Sequence, residues 1–379
     1  GAVVAGQYLG QKNKEQACKS TTQLMWSMGF ISLVITAFVY ACKYWILHGV
    51  FGQIEADVMH HADVYLLIVT ASIPFIALYN GGAAVFRAMG NSEVSMKVSL
   101  LMNAINVSGN AILIYGFHCG TEGVAIPTLV SRFVAAFIII KLLLKDKWTL
   151  HLKRTFRFNP DWSMIRKILS VGIPNGLENS MFQLGKVLVL SLVSTFGTYA
   201  IAANAVSNVI TLFSILPGQA ICLAVTTVIA RCVGAGDYEQ AKYYNKKLIL
   251  LTHIGMTITI FIVFITLPFI LKVYNLSEAA SEATRHIIWF HGCCAILIWA
   301  ESFTLPATFR ACGDAKACMI ISTVSMWIFR VGASYILGKN LGLGVFGVWV
   351  AMIIDWAFRS LLFGIRYFSG KWKKHALVS

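Results

Sequence analysis

The fold class of this chain follows from one stretch, residues 247–271, which reads KLILLTHIGMTITIFIVFITLPFIL. A helix of about 20 apolar residues spans the hydrocarbon core of a bilayer, which is roughly 30 Å thick. This stretch is long enough to do so, and His253 is the one titratable side chain in its interior. The stretch therefore predicts a transmembrane helix.

The rest of the chain repeats this pattern. Short polar loops separate nine further apolar runs, at residues 22–47, 64–86, 94–115, 124–144, 165–196, 201–230, 286–308, 315–337 and 345–368. The chain is 58% hydrophobic and 12% charged, whereas soluble domains carry roughly 25% charged residues. We therefore predict an all-α polytopic membrane protein with about ten complete spans. An apolar stub at residues 1–9 precedes them, and we expect an N-terminal segment to be missing before it.

The position of the positive charge decides which partners are expected, since 31 Lys and Arg face only 16 Asp and Glu. When the loops are assigned alternately to two sides, one side receives only Lys43, Lys272, Arg285 and Lys339. The basic residues of all other loops fall on the opposite side, which the positive-inside rule assigns to the cytoplasm. We expect a multi-pass protein of the cell (inner) membrane with a cytoplasmic C-terminus, whose partner is the lipid bilayer and not a nucleic acid.

Three pairs of motifs indicate an internal duplication. The segment GQKNKEQA at 10–17 returns as GAGDYEQA at 234–241, and FRAMG at 86–90 returns as FRACG at 309–313. A Gly-Val pair opens the last span of each half, at Gly123 and Gly344. Because an even number of spans separates the copies, the repeat is parallel, with an axis along the membrane normal.

The duplication predicts two six-helix bundles. We assign residues 1–145 to an N-terminal bundle that lacks its first span and most of its second. Residues 146–165, which are strongly basic, form a cytoplasmic linker, and residues 166–379 form the C-terminal bundle of six helices.

These motifs resemble those of the multidrug and toxic compound extrusion (MATE) family, together with Gly-Ile-Pro at 172–174 and Leu-Pro-Gly at 216–218. The resemblance covers essentially the whole chain. It implies a twelve-span secondary transporter, not an enzyme, that exports organic cations or other amphiphilic compounds in exchange for Na⁺ or H⁺. We expect a monomer that needs no cofactor beyond this coupling ion. Alternating access between the two bundles is the expected mechanism.

Two acids inside predicted spans are the candidate coupling residues. An ionisable side chain at the bilayer centre costs several kcal/mol, about 2.5 to 3.5 on insertion scales, and is functional by default. The helical rise of 1.5 Å per residue places Glu178 roughly 16 Å and Glu301 roughly 13 Å from the cytoplasmic face. We expect them to share a cation site, with Glu178 the main residue and with amide oxygens from Asn175, Asn179 and Gln183.

A structural role for each acid stays open. Glu178 pairs with a neighbouring base in that case, and Arg330 in the next span neutralises Glu301. Asp355 and Arg359 are spaced i, i+4 on one helix face, which favours a local ion pair. His253 and His291 are single histidines, for which packing is the commoner role.

Other candidates concern the cavity and its motion. Aromatic and amide side chains at bilayer depth suit a cationic substrate, because a cation stacks on a ring face; these are Tyr79, Asn80, Phe182 and Trp299. Pro174 and Pro217 are the predicted hinges, since proline removes a helical hydrogen bond. The nine Cys residues contain no CxxC pair and no spacing with His that suits a metal, so we expect neither a disulfide nor a metal site.

Alternative functions remain. The closest is a lipid-linked saccharide flippase of the same wider superfamily, which requires a large basic cavity, whereas the interior bases here are few. A membrane enzyme is disfavoured, because GxSxG, HExxH and Asp-rich metal motifs are absent from the sequence. The parallel repeat and interior prolines disfavour a channel.

Overall fold

The computed structural model describes residues 1–51, 55–152 and 159–378, and every regular element in this part of the chain is a helix. The α-helices in chain order are α1 (Ala2–Gly10), α2 (Lys14–Ala41), α3 (Lys43–Phe51), α4 (Ala56–Ala71), α5 (Ile73–Ala88), α6 (Ser92–Ala111), α7 (Glu122–Leu143), α8 (Trp162–Ser194), α9 (Thr198–Gly234), α10 (Tyr238–Tyr274), α11 (Glu278–Ala311), α12 (Ala315–Ser325) and α13 (Gly344–Phe368). Segments of π-helix follow α6 and α12, at Ile112–Gly116, Met326–Gly332 and Tyr335–Asn340, and a short 3₁₀ helix occupies Lys371–Lys374. The predicted all-α membrane fold is confirmed.

Among the described residues, eight helices are long and apolar enough to cross a membrane, or nine if α4 and α5 form one bent span. The sequence predicts a span at 64–86, and the structure bends this part of the chain by 40° between Ala71 and Ile73. Pro74 lies in the first turn of α5, where its missing N–H interrupts the hydrogen-bond ladder. Ser72 lies at the break, and its hydroxyl accepts a 2.6 Å hydrogen bond from Arg132.

The predicted span at 165–196 forms α8, which has 33 residues. It is not among the helices that are apolar enough to be counted above as candidate spans. Its length suffices for a bilayer, yet polar side chains interrupt the apolar run in its interior. These are Asn175, Glu178, Asn179, Gln183 and Lys186. α8 is therefore the helix in which most of the polar candidate residues lie.

The chain divides into two compact units, residues 1–168 and 169–379. In the second unit, helix α11 packs against α9, α10 and α13, and the core contains Trp299, Trp349 and Trp356, each at most 4% exposed. Gly218 of α9 lies directly against the ring of Trp299, where any added Cβ would overlap the ring. Small residues at such positions let membrane helices approach closely.

The first repeated motif has the same backbone turn in both copies. Lys12 and Gly236 occupy equivalent positions, and both have positive φ, +61° and +75°. In the next position, the side chain of Asn13 accepts from the amide of Gln16 at 3.1 Å, and Asp237 accepts from Gln240 at 2.9 Å. The duplicated sequence therefore forms a duplicated helix start.

The second motif behaves in the same way. Gly90 and Gly313 lie two residues after the ends of α5 and α11, with φ of +82° and +94°. The next residues, Asn91 and Asp314, each donate a backbone hydrogen bond of 2.9 Å to the Phe that opens the motif. The π-helical segments Ile112–Gly116 and Tyr335–Asn340 begin at positions related by the offset of this motif. Local structure thus supports the duplication.

Most of the predicted linker, 146–165, is described by the structure. Residues 153–158, which include three of its basic side chains, lie outside the described residues. Its remaining residues belong to the first unit. Lys19 forms a 2.6 Å ion pair with Asp161, and the side chain of Gln23 donates to the carbonyl of Asn159 at 2.7 Å. The Lys19 ammonium lowers the pKa of the Asp161 carboxyl. The exact domain bounds remain a prediction.

Candidate functional site

Glu178 of α8 forms a buried ion pair with Arg310 at the end of α11. Nη2 of Arg310 lies 2.7 Å from one carboxylate oxygen and 2.8 Å from the other. Glu178 is only 6% exposed, and an arginine keeps its proton at any physiological pH. In this structure, the negative charge of Glu178 is therefore neutralised by a permanent positive charge. Arg310, expected only as a cytoplasmic loop base, is a residue that the sequence analysis missed here.

Glu301 of α11 has a different kind of partner. Its Oε1 lies 2.9 Å from Nε2 of His253 on α10, and the side chains are partly exposed, 31% and 27%. Nδ1 of the same imidazole lies 2.7 Å from the carbonyl oxygen of Ile296. Oε2 of Glu301 is buried and has no hydrogen-bond partner among the described residues. His253, expected as a packing residue, is thus a second residue that the sequence analysis missed, although it stood out as an isolated titratable group inside a span.

The geometry determines where the protons of this pair lie. A carbonyl oxygen only accepts hydrogen bonds, so Nδ1 of His253 carries a proton toward Ile296. A second proton must then lie between Nε2 of His253 and Oε1 of Glu301, because otherwise two lone pairs would face each other at 2.9 Å. The pair is either an imidazolium with a carboxylate or a neutral imidazole with a carboxylic acid. In both forms it holds one exchangeable proton.

The two acids do not share a site in this structure. Each binds its own partner, and the ion pairs of the described residues include none that joins Glu178 to His253 or Glu301 to Arg310. The reason is the geometry of α11, on which Glu301 and Arg310 are nine residues apart. Nine residues make about two and a half turns, so the two side chains leave the helix on opposite faces.

The predicted amide ligands lie along α8 but do not bond to either acid. The side chain of Asn179 donates to the carbonyl of Asn175 at 2.8 Å, within its own helix. Asn179 and Gln183 are exposed, and Asn175 is half-buried. Within the described part of the chain, no hydrogen bond connects these amides to Glu178 or Glu301. Likewise, no group of three or more His, Cys, Asp or Glu side chains there is arranged to hold a metal ion.

The predicted ion pair between Asp355 and Arg359 is not formed among the described residues. Ser325 of α12 donates a 2.5 Å hydrogen bond to Oδ1 of Asp355. Arg359 instead lies 4.6 Å above the ring of Phe303 and donates to the carbonyl of Ser302 at 3.4 Å. The i, i+4 spacing places both residues on one helix face, but their side chains contact Ser325 and Phe303 of neighbouring helices and do not pair with each other.

Phe182 has unexpected neighbours. The charged groups of Lys186, Arg330 and Arg359 lie 5.6, 5.3 and 5.6 Å from its ring centre. Arg330 does not neutralise Glu301, whose partner is His253. This aromatic side chain, predicted to stack on a cationic substrate, is therefore already approached by cations of the protein itself.

The remaining candidate residues are the predicted cavity residues Trp299, Tyr79 and Asn80 and the predicted hinge prolines. Trp299 is 1% exposed and stacks on Phe303 with a centroid distance of 4.9 Å, so it lies in the core of the second unit. Tyr79 is buried and Asn80 exposed on α5 of the first unit. Helices α8 and α9 continue through Pro174 and Pro217. Their roles as cavity residues and hinges stay predictions.

Comparison with known proteins agrees with this fold. The MatE family profile matches residues 1–112 and 174–336, one segment in each unit. The probable multidrug resistance protein NorM of Thermotoga maritima is 25% identical, over 95% of this chain and 78% of its own length. The uncharacterized transporter YisQ of Bacillus subtilis is 28% identical, over 98% of this chain and 81% of its own length.

Solved structures show the same architecture. The outward-facing conformation of a multidrug resistance MATE family transporter of the MOP superfamily superposes with a TM-score of 0.88 at 19% identity, covering 98% of this chain and 83% of that one. A MATE crystal structure in complex with MaL6 gives a TM-score of 0.89 at 20% identity, covering 98% and 84%. The chain belongs to the MATE family of efflux transporters. It is a multi-pass membrane protein and not an enzyme.

Proposed function

We propose that this transporter exports organic cations or other amphiphilic compounds in exchange for protons, with Glu301 and His253 as the proton-binding pair. The observation that carries the proposal is the 2.9 Å contact between Nε2 of His253 and Oε1 of Glu301. This contact holds one exchangeable proton inside a membrane-spanning helix pair. The names of relatives such as NorM support a drug-like substrate.

The pair provides coupling through exclusive occupancy. When the shared proton leaves, a carboxylate remains beside a neutral imidazole, and this carboxylate attracts a cation. An organic cation can then bind where the proton was, and returning protons displace it. Oε2 of Glu301 is buried and has no hydrogen-bond partner among the described residues, so the carboxylate of this pair retains an unused acceptor oxygen. Alternating access then lets proton and cargo exchange on opposite sides of the membrane.

Glu178 has a different role in this proposal. Its carboxylate is neutralised by Arg310 in a buried pair, and removing one partner of a buried pair costs about 3 to 5 kcal/mol. We propose that the pair holds α8 against α11 and that Glu178 does not carry the coupling proton. This assigns the main coupling role to Glu301, the residue ranked second from sequence.

The proposed setting is the cell membrane, with the basic loops and the C-terminus in the cytoplasm and the chain acting as a monomer in the bilayer. The distribution of Lys and Arg along the chain supports this orientation. The inward proton gradient would then drive proton entry and cation exit, and exchange of one proton for one monovalent cation would move no net charge across the membrane.

The test is efflux of ethidium from proteoliposomes that contain the full chain under an imposed pH gradient. We expect Glu301→Gln to lose gradient-driven efflux, because an amide neither releases nor binds the proton. Glu282→Gln is the matched control, since it removes an exposed acid from the same helix. Transport that follows a Na⁺ gradient but not a pH gradient, or normal efflux by Glu301→Gln, contradicts the proposal.

A further inference from the structure

The second unit contains a small pocket whose lining is positively charged. Its volume is about 240 Å³, and its polar lining comes from Lys186 of α8, Asn204 and Asn208 of α9, Arg330 and Trp349. The pocket lies in the half of this unit near the turn that joins α8 to α9. It is separate from the Glu301–His253 pair.

The positive charges of this pocket lack acidic partners. Neither Lys186 nor Arg330 forms an ion pair within 4.0 Å in the described ranges 1–51, 55–152 and 159–378. Nη2 of Arg330 donates to the thioether sulfur of Met352 at 3.2 Å, and a thioether is a weak acceptor. A positively charged site with unused donors is therefore present.

The cluster as a whole has excess positive charge. Lys186, Arg330 and Arg359 surround the ring of Phe182. Asp355 contributes a negative charge to both arginines, and Glu178, which is already paired with Arg310, contributes to Arg359. Uncompensated charge inside a membrane-spanning bundle is costly and marks a functional site by default. A bound anion would supply the missing negative charge.

The neutral side chains of the pocket also favour an oxygen anion. Nε1 of Trp349 donates to Oδ1 of Asn204 at 3.1 Å, which orients the amide of Asn204 and leaves its N–H groups as donors. A planar guanidinium presents its donors in a fork that matches the oxygens of a carboxylate or phosphate. Arg330 also lies in the π-helical segment Met326–Gly332, and such segments occur frequently at functional sites.

The volume limits what the pocket accepts. Sites for whole drug-sized ligands measure about 300 to 1,000 Å³, so a cavity of about 240 Å³ takes only the charged end of a larger molecule. We propose that this pocket binds the oxyanion, a carboxylate or phosphate, at one end of an amphiphile. The amphiphile is either a transported compound or a membrane lipid with an anionic headgroup.

The binding test uses the purified full chain in a neutral detergent. Calorimetric titration with phenylphosphate should show one binding site, whereas the neutral analogue benzyl alcohol should not bind there. Loss of one charged hydrogen bond corresponds to roughly ten- to hundredfold weaker binding, so we expect Lys186→Met to weaken phenylphosphate by about tenfold or more. Lys339→Met, which removes an exposed cation elsewhere, should bind normally.

A second measurement remains informative if substitutions in the pocket affect folding. Phenylphosphate should raise the thermal unfolding midpoint of the wild type and of Lys339→Met. It should not raise the midpoint of the double variant Lys186→Met, Arg330→Met. Because Lys186 lies at the exposed edge of the pocket, the single variant Lys186→Met should fold. Absence of phenylphosphate binding to the wild type, or equal binding by all variants, overturns the proposal.

The lipid composition of the nanodisc distinguishes the two possible sources of the anion. If the natural ligand is a lipid headgroup, nanodiscs with phosphatidylglycerol should block phenylphosphate binding, and phosphatidylcholine nanodiscs should not. If the ligand is transported, binding should persist in phosphatidylglycerol, and the double variant should lose transport of a carboxylate-bearing amphiphile. Either result supports the site. These assays measure anion binding, so their failure is distinguishable from failure of proton-coupled cation export.

Discussion

Replacement of Glu178 by Gln tests whether this acid is structural or couples transport. The substitution keeps the shape of the side chain but leaves Arg310 without its negative partner at 2.7 Å. Breaking a buried pair costs about 3 to 5 kcal/mol. Because the Arg310 side chain is 24% exposed, water compensates part of this loss, and we expect a decrease of about 3 kcal/mol in the free energy of unfolding.

The double variant Glu178→Met, Arg310→Met separates the two roles. Removing both charges leaves no buried unpaired ion, and such replacements are often close to neutral, so we expect a loss of about 1 kcal/mol or less. Gradient-driven ethidium efflux should recover with stability if the pair only holds α8 against α11. If Glu178 instead carried the coupling proton, stability would recover without transport.

The assay is unfolding of the purified chain by titration of sodium dodecyl sulfate into mixed micelles. Glu93→Gln is the matched control, since the Lys97–Glu93 pair has a similar distance of 2.6 Å but side chains that are 68% and 67% exposed. An exposed pair contributes about 0.2 to 1 kcal/mol. Equal losses for Glu178→Gln and Glu93→Gln would refute the role assigned to burial.

Three further predictions follow from particular residues. Lys12→Gly should stabilise the chain by about 0.5 to 1 kcal/mol, because glycine adopts positive φ without the steric cost of a side chain, and the reciprocal Gly236→Lys should destabilise it in the same unfolding assay. Gly218→Ala should lower the free energy of unfolding by about 1 to 3 kcal/mol through overlap with Trp299, with recovery in combination with Trp299→Leu. His253→Gln should make ethidium efflux insensitive to the pH gradient while cation binding, measured by ethidium fluorescence, persists.

The predictable part of the candidate site was the presence of charge inside spans. Glu178 and Glu301 were recognisable because a carboxylate at bilayer depth is costly wherever it occurs. Their partners were not recognisable, because they are distant in sequence. Arg310 lies 132 residues from Glu178, and His253 lies 48 residues from Glu301. Asp355 and Arg359 show the opposite case, in which a favourable local spacing did not produce the expected pair because Ser325 and Phe303 on neighbouring helices compete for them.

The sequence by itself determined the membrane class, the duplication and the family, because the length of an apolar run and the spacing of a turn motif are properties of neighbouring residues. The turn at Lys12 and its copy at Gly236 form the same structure for that local reason. Only the tertiary structure decided which charges meet. That choice depends on the rotation of each helix about its axis, as when α11 directs Glu301 toward His253 and Arg310 toward Glu178 on opposite faces.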